Sequence, residues 1–247
     1  MRHGNCSDSR VRRRFLLTTL FLVCCTHGNL LMPGQQRVEA GYVEGERIAV
    51  LERFLATDNS SPTEFRARRH LEARTARLDL AAWMDVSTEG TASDFRYTIL
   101  GEGGSDYIRS HVFRTALETE RQMWQSDAPD HAAITPKNYT FEDRGAQPAG
   151  LARVGVKPKR KDLLLVDGSI FLRPDDGDLV TVAGTLSKNP SLWVRHVRVV
   201  GHYERIAGVR LPVAFESVAN IVIAGESTFT MTYNYEMVNG QHMSRRN

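Results

Sequence analysis

The sequence predicts an α+β protein built on one broad antiparallel β-sheet with an apolar face. Long runs alternate apolar and polar residues with a period of two, most clearly between residues 193 and 240. Turns that contain Gly or Pro separate these runs at short intervals. Two other segments, 44–55 and 105–125, repeat apolar residues every three or four positions, as amphipathic helices do.

The first 40 residues predict an export leader that precedes the folded part of the chain. Arg12, Arg13 and Arg14 come before the apolar run 15–25, which has the length of a secretory signal and is too short to span a bilayer comfortably as a helix. We expect cleavage after Ala40, with the poorer site at Thr26-His27-Gly28 as an alternative closer to the apolar run, and a single domain over residues 41–247. The alternative is a lipid anchor at Cys25, because the residues before it resemble a lipoprotein box.

Charge and cysteine content exclude several classes of function. The leader holds six of the 32 basic and two of the 29 acidic residues, so the rest of the chain has a net charge of −1. We therefore expect no nucleic-acid partner. All three cysteines lie in the leader, so the domain is predicted to contain no disulfide, no thiolate nucleophile and no cysteine-ligated zinc.

The elements of the domain follow from these patterns in order. Residues 44–55 predict a short helix, and residues 105–125 predict a longer one. The glycine-rich GEGG (101–104) is interpreted as a turn before the second helix. Alternating runs predict strands at 65–74, 78–86, 95–100, 139–143, 150–156 and 179–186.

Asp167 and Gly168 predict a hairpin turn between the apolar runs 163–166 and 169–172. Both central positions of a two-residue turn need positive φ, which Gly and Asp tolerate. Nearer the C-terminus, two neighbouring strands have apolar phases that would lie on the same side if paired in register. These phases contain Val213, Phe215, Ile221, Phe229, Met231 and Tyr233.

No motif for catalysis or for cofactor binding appears in the domain. A Gly-x-Ser-x-Gly elbow and a His-Glu-x-x-His helix are both absent from the sequence. His196 and His202 share a strand phase but lie roughly 20 Å apart at ~3.3 Å per residue, too far for one metal ion. We therefore expect no catalytic residue, no metal and no cofactor. A hydrolase or isomerase assembled from these histidines and distant acids is the remaining enzyme alternative.

The second half of the domain resembles the LolA-like superfamily, which includes periplasmic outer-membrane lipoprotein carriers and lipoprotein-sorting-like proteins. The resemblance is carried by Gly150–Val154, Lys157–Arg160, the run 163–172 with Asp167-Gly168, and the stretch 202–233. It implies a periplasmic location and a strongly curved antiparallel sheet, an unclosed half-barrel of about nine to eleven strands. It also implies two or three helices over the concave face, with an apolar cavity between helices and sheet.

The leading hypothesis is an exported periplasmic binding or carrier protein, not an enzyme, that shields an acyl chain or another hydrophobic ligand of a lipid or lipoprotein. Burial of apolar surface provides affinity without directional chemistry. The alternative is an envelope protein-interaction or stress-sensor module without lipid transport. The basic cluster 157–161 adds peripheral membrane contact as an expectation. The expected cavity wall, in which strand register decides between the first two residues, is Trp83, Met84, Val213, Phe215, Ile221, Phe229, Met231 and Tyr233.

Overall fold

The computed structural model describes residues 44–57, 61–91, 93–124, 131–146 and 150–244. For residues 44–48 and 143–146 the description covers the backbone alone. The predicted leader, its cleavage site at Ala40 and the lipid anchor at Cys25 lie outside these ranges. None of the helices in the described ranges has the length and apolar character needed to cross a membrane.

The body of the protein is one eleven-stranded antiparallel sheet that does not close into a barrel. Its strands alternate buried and exposed residues, as the period of two predicts. The predicted fold class is therefore confirmed. The strands are β1 (Glu64–Thr75), β2 (Leu80–Thr91), β3 (Phe95–Gly104), β4 (Tyr139–Ala146), β5 (Ala152–Pro158), β6 (Val166–Leu172), β7 (Leu179–Leu186), β8 (Val194–Ile206), β9 (Val209–Ile221), β10 (Gly225–Val238) and β11 (Gln241–His242).

The chain starts in the middle of the sheet and crosses it once. The strand order is β3-β2-β1-β10-β9-β8-β7-β6-β5-β4, and the short β11 pairs with β10. The segment between β3 and β4 therefore connects the two edges of the sheet, and it contains the second predicted helix. All other sequential connections join neighbouring strands, so alternate turns lie at the same end of the sheet.

Both predicted helices are present. The first, α1 (Glu44–Ala56), has nearly its predicted bounds. The second consists of α2 (Asp106–Ile108), a π-helical turn (Arg109–Phe113) and α3 (Arg114–Trp124), and we call residues 106–124 the covering helix. It begins where expected because the Ser105 hydroxyl accepts a hydrogen bond from the Ile108 N–H at 3.4 Å. The π-helical turn was not predicted.

The helices pack over separate parts of the apolar face of the sheet. Buried Ile108, Phe113 and Leu117 of the covering helix join a cluster formed with β1, β2 and β10. Val50 and Phe54 of α1 join a second cluster on the side of β5, β6 and β7. Burial of these stripes on one curved surface is what holds two helices to a single sheet.

Two turn predictions are wrong. Asp167 and Gly168 lie inside β6, where Gly168 pairs with Gly184 of β7 and with Val156 of β5. A Cβ on Gly168 would lie 2.1 Å from the Ala183 carbonyl oxygen, so the glycine permits close approach of two backbones and makes no turn there. The GEGG stretch likewise continues β3 to Gly104, because Gly101 and Gly103 pair with β2.

Candidate functional site

The candidate site is the apolar face of the sheet beneath the covering helix. Strand register places Phe215, Met231, Leu71 and Met84 in one row across β9, β10, β1 and β2. Phe229 lies beside this row, with its ring centroid 6.1 Å from that of Phe113 on the helix. Tyr233 packs at the edge of the same cluster. Five predicted wall residues therefore come together here, namely Met84, Phe215, Phe229, Met231 and Tyr233.

The remaining three predicted wall residues lie elsewhere. Of the two alternatives on β2, register places Met84 in this row, and Trp83 points to the other face because neighbouring strand residues point to opposite faces. Trp83 is 40% exposed on the outer face, away from the helices. Ile221 belongs to an adjoining buried cluster with Val194 and Val197. Val213 lines a separate open depression of about 720 Å³ with Tyr203 and Arg205.

The space between the covering helix and the sheet is filled by the helix itself. Ile108 and Val112 are 2% exposed, and Phe113 and Leu117 are entirely buried. They meet a floor of buried Leu71, Met84, Phe229 and Met231. The helix thus occupies the volume that the sequence-based hypothesis gave to an apolar ligand.

A buried ion pair joins the covering helix to β1, the third strand from one edge of the sheet. The guanidinium of Arg69 on β1 donates to both carboxylate oxygens of Glu120 on α3, at 2.5 and 3.0 Å. The Arg69 side chain is 2% exposed, and its guanidinium lies 4.7 Å from the ring centroid of Tyr233 and 5.3 Å from that of Phe95. Burial acts to lower the pKa of Arg69, but the Glu120 carboxylate acts in the opposite direction, and the net pKa is raised above its ordinary value. The arginine therefore stays charged.

Sequence reasoning missed this pair although a signal for it was present. Arg69 occupies the apolar phase of β1, between Ala67 and Leu71, whereas the other arginines of that strand lie in the polar phase. A cation on a face that otherwise buries apolar groups requires a partner. Its partner Glu120 lies 51 positions away, so the sequence signals the need for a pair without naming the residue.

A second polar contact holds the start of the covering helix. Glu102 on β3 accepts hydrogen bonds from Arg109 and Arg114, each at 2.9 Å through the same carboxylate oxygen. Arg109 lies in the π-helical turn and Arg114 opens α3. The covering helix is therefore fixed to the sheet by charged groups at the first residue of its irregular turn and at the residue just after it.

A third buried charge cluster lies near α1. Asp178, which is 3% exposed, accepts hydrogen bonds from Arg205 and Arg210. Burial acts to raise the pKa of Asp178, but the two arginines outweigh it and lower that pKa. The Arg210 guanidinium lies 5.0 Å from the ring centroid of Phe54, so α1 covers this cluster with an aromatic side chain.

The outer face of the sheet presents a histidine and a tryptophan side by side. His70 Nδ1 is 2.6 Å from the carboxylate of Asp85, and its ring is stacked against Trp83 with centroids 6.4 Å apart. The hydrogen bond to Asp85 raises the pKa of His70. An open depression of about 430 Å³ beside them is lined by His70, Asp85 and Leu100.

His196 and His202, the two histidines considered for catalysis, do not converge on one site. His196 is exposed and lies at a strand irregularity with φ of 50°, beside the loop that contains Leu192. His202 Nδ1 lies 3.2 Å from the Thr181 hydroxyl of β7. Across the described ranges of the chain, no three His, Cys, Asp or Glu side chains are grouped closely enough to hold a metal ion.

The geometry defines a class: a curved antiparallel sheet whose concave face is covered by helices over an apolar interface. No family model matches the sequence, and no curated protein matches it. Among solved structures, a DUF1329 family protein from Desulfovibrio piger is similar, with 9% identity and a TM-score of 0.35 over 77% of this chain and 89% of that one. A LolA superfamily protein from Nitrosomonas europaea has 6% identity and a TM-score of 0.33, over 76% of this chain and 91% of its own. One of these two structures belongs to the superfamily that the sequence resembles.

Proposed function

We propose that the chain is an exported carrier that shields an acyl chain or similar apolar guest between the sheet and the covering helix. The observation that carries the proposal is that one helix fills the apolar face with four side chains, Ile108, Val112, Phe113 and Leu117. Without a guest, the side chains of the helix occupy the binding site. Binding of a guest displaces these side chains and puts the apolar surface of the guest in their place. The leader directs this binding protein to the periplasm, and its role is not catalytic.

The energies of the two occupants are similar, which makes the exchange reversible. Burying a large aliphatic or aromatic side chain stabilises by about 1.5–3 kcal/mol, so four such side chains contribute about 6–12 kcal/mol. An acyl chain with about 15 methylenes gains about 12 kcal/mol at ~0.8 kcal/mol per methylene. A guest of this size therefore displaces the helix without a large gain or loss, whereas a short chain does not.

The attachment of the covering helix suits a movable lid. Glu102 contacts the first residue of the π-helical turn, Arg109, and the residue just after the turn, Arg114, and the Arg69–Glu120 pair holds the helix further along α3. Irregular π-helical turns lack the standard hydrogen-bond pattern and occur often at functional sites. A helix released at that turn would expose Leu71, Met84 and Met231 to a guest.

The direct test is extraction of the protein recovered from its cells, followed by mass spectrometry of bound lipid. Uptake is then measured by titration with a fluorescent polyene fatty acid. Leu117→Ala removes a buried competitor for the guest site and is expected to tighten fatty-acid binding at least tenfold. Leu165→Ala is the matched control, because Leu165 is equally buried but belongs to the cluster beneath α1.

Two results would overturn the carrier proposal. One is the absence of any bound lipid together with failure to take up the fatty acid. The other is an equal effect of Leu117→Ala and Leu165→Ala on uptake, since general loosening of the fold would then explain it.

The second candidate is an envelope protein-interaction or stress-sensor module, and a specific observation favours it. The outer face exposes Trp83 at 40% and Leu100 at 54%, while the space beneath the covering helix is filled. This candidate predicts that Trp83→Ala abolishes capture of an envelope protein by the purified chain and leaves fatty-acid binding unchanged. The carrier proposal predicts fatty-acid uptake by both the parent and Trp83→Ala.

A further inference from the structure

Large apolar side chains are exposed together at one end of the sheet. Leu192 is 90% exposed, Ile223 64%, Trp193 57%, Leu78 47% and Val222 40%. They lie in the turns β1–β2, β7–β8 and β9–β10, which the alternating antiparallel order places at the same end. We call these five residues the apolar rim. Leu192 and Ile223 are its most exposed members.

The turns that carry the rim are joined to one another by backbone hydrogen bonds. The Arg77 N–H donates to the Ala224 carbonyl at 3.1 Å, and the Val222 N–H donates to the Trp193 carbonyl at 2.9 Å. The three turns therefore form a fixed row. Ordering such side chains before binding lowers the entropy lost when a surface is contacted.

The next turn along the row is basic. The Ser187 N–H donates to the Leu165 carbonyl at 2.8 Å, and the Asp162 N–H donates to the Ser187 hydroxyl at 2.9 Å. These bonds attach the 159–165 turn, with its Lys and Arg residues, directly to the loop that carries Leu192 and Trp193. Exposed bases at this end of the sheet include Arg77, Lys157, Lys159, Arg160, Lys161, Lys188 and Arg195.

Few of the acids in the described ranges lie close to the rim. Asp79 and Asp162 lie in the same turns, Glu226 lies at the start of β10, and Asp162 is 3.3 Å from the Arg160 guanidinium. At the opposite end the 173–178 turn contains three aspartates, of which Asp176 pairs with Arg173 and the buried Asp178 pairs with Arg205 and Arg210. The 173–178, 207–208 and 239–240 turns contain no large apolar residue. The rim end is therefore distinguished by exposed apolar side chains together with exposed bases.

We propose that the apolar rim docks the protein on the surface of an anionic phospholipid bilayer. Tryptophan and aliphatic tips enter the interfacial layer, and the flanking Lys and Arg side chains contact headgroup phosphates. A row of protruding turn tips fits a deformable bilayer surface, whereas the core of a protein interface is a well-packed patch. The proposal is independent of the carrier proposal, because docking uses none of the residues beneath the covering helix.

The test is flotation of the protein, in the form recovered from its cells, with vesicles of two compositions. One contains phosphatidylcholine alone, and the other contains phosphatidylcholine with phosphatidylglycerol. We expect binding to the anionic vesicles that weakens as salt is added. Leu192→Ser with Trp193→Ser is expected to reduce the partition coefficient at least tenfold. Leu100→Ser removes a comparably exposed apolar group on the outer face and is expected to leave it unchanged.

The charge contribution has its own matched pair of variants. Lys159→Glu with Lys161→Glu is expected to weaken binding to the anionic vesicles at least fivefold. Arg96→Glu is the control, because the Arg96 side chain is 80% exposed at the opposite end of the sheet. Far-UV circular dichroism confirms that each variant is folded.

The docking proposal is overturned if the Leu192/Trp193 variant floats as well as the parent. It is also overturned if the parent binds both vesicle types equally and without salt dependence. The docking proposal is also overturned if the parent does not float with the anionic vesicles at low salt. A protein with an acidic surface would then be the next partner to test at the rim.

Discussion

Glu120→Ala tests whether the buried ion pair under the covering helix stabilises the fold. The substitution leaves the Arg69 guanidinium, whose side chain is 2% exposed, without its carboxylate. Removing one partner of a buried pair costs about 3–5 kcal/mol, because the other charge stays buried and uncompensated. The Glu120 side chain is 28% exposed, so water replaces part of the lost contact. We therefore expect a loss of about 3 kcal/mol, at the lower end of that range.

The covering helix supplies a control for this prediction. Glu118 lies two positions before Glu120 and pairs with Arg121, with the two side chains 39% and 41% exposed. Glu118→Ala makes the same change in helix propensity but breaks only an exposed pair, so we expect a cost of about 0–1 kcal/mol. Urea unfolding followed by far-UV circular dichroism measures both losses, provided the slope with denaturant is unchanged.

A double variant separates the pair's net contribution from the cost of breaking it. Arg69→Met with Glu120→Leu replaces both charges with apolar groups, and we expect a stability within about 1 kcal/mol of the parent. Equal losses in Glu120→Ala and Glu118→Ala would refute the argument from burial. A double variant as unstable as Glu120→Ala would contradict the expectation that apolar groups replace the buried pair at little cost.

Two further predictions concern other parts of the sheet. Gly168→Ala forces a Cβ to within 2.1 Å of the Ala183 carbonyl oxygen, whereas a Cβ on Gly101 meets the Trp83 ring at 3.4 Å. We expect urea unfolding to give a loss of about 2–3 kcal/mol for Gly168→Ala and under about 1 kcal/mol for Gly101→Ala, and equal losses would contradict the close-approach explanation. Because the pKa of His70 is raised in the folded state, its charged contacts stabilise fully at acidic pH, and this contribution is lost as pH rises through the raised pKa. The difference in Tm between the parent and His70→Gln is therefore expected to shrink from about pH 6 to about pH 9, and a constant difference would count against the linkage.

Periodicity predicted the fold well because it depends on local chain geometry. The strands of the C-terminal half and both helices follow the apolar spacing of the sequence, including the start of the covering helix at Ser105. Glycine was the main source of error. Gly168 and Gly103 occur in sequence contexts typical of turns, yet each lies within a strand, opposite Gly184 and Trp83 respectively. Which surface approaches a glycine is a tertiary property, so a local pattern does not reveal it.

The candidate site was only partly predictable for the same reason. The apolar phase of β10 identified Phe229, Met231 and Tyr233, but only register with β1 and β2 separated Met84 from Trp83. The helical pattern of residues 105–125 predicted an apolar stripe. The sequence pattern did not show that this stripe fills the face of the sheet. The burial of Phe113 and Leu117 in the structure shows it.

The apolar rim and the covering helix meet at one point, and this connects the two proposals. The Ser105 N–H, just before the helix, donates to the Ala81 carbonyl at 2.8 Å, close to the turn that carries Leu78. A bilayer bound at the rim therefore contacts the first turns of the helix, where Tyr107 is already 53% exposed. Its interface would compete for Ile108 and Val112 and favour local opening at the π-helical turn.

We expect anionic vesicles to accelerate amide hydrogen exchange at least threefold in residues 106–113, as measured by mass spectrometry, and to leave the β8–β9 hairpin unchanged. The Leu192→Ser/Trp193→Ser variant should show no acceleration, because it is expected to leave the helix intact and to lose the docking. If the parent binds vesicles while exchange in residues 106–124 stays constant, docking does not open the covering helix. A guest would then have to enter by a route that the bilayer does not control.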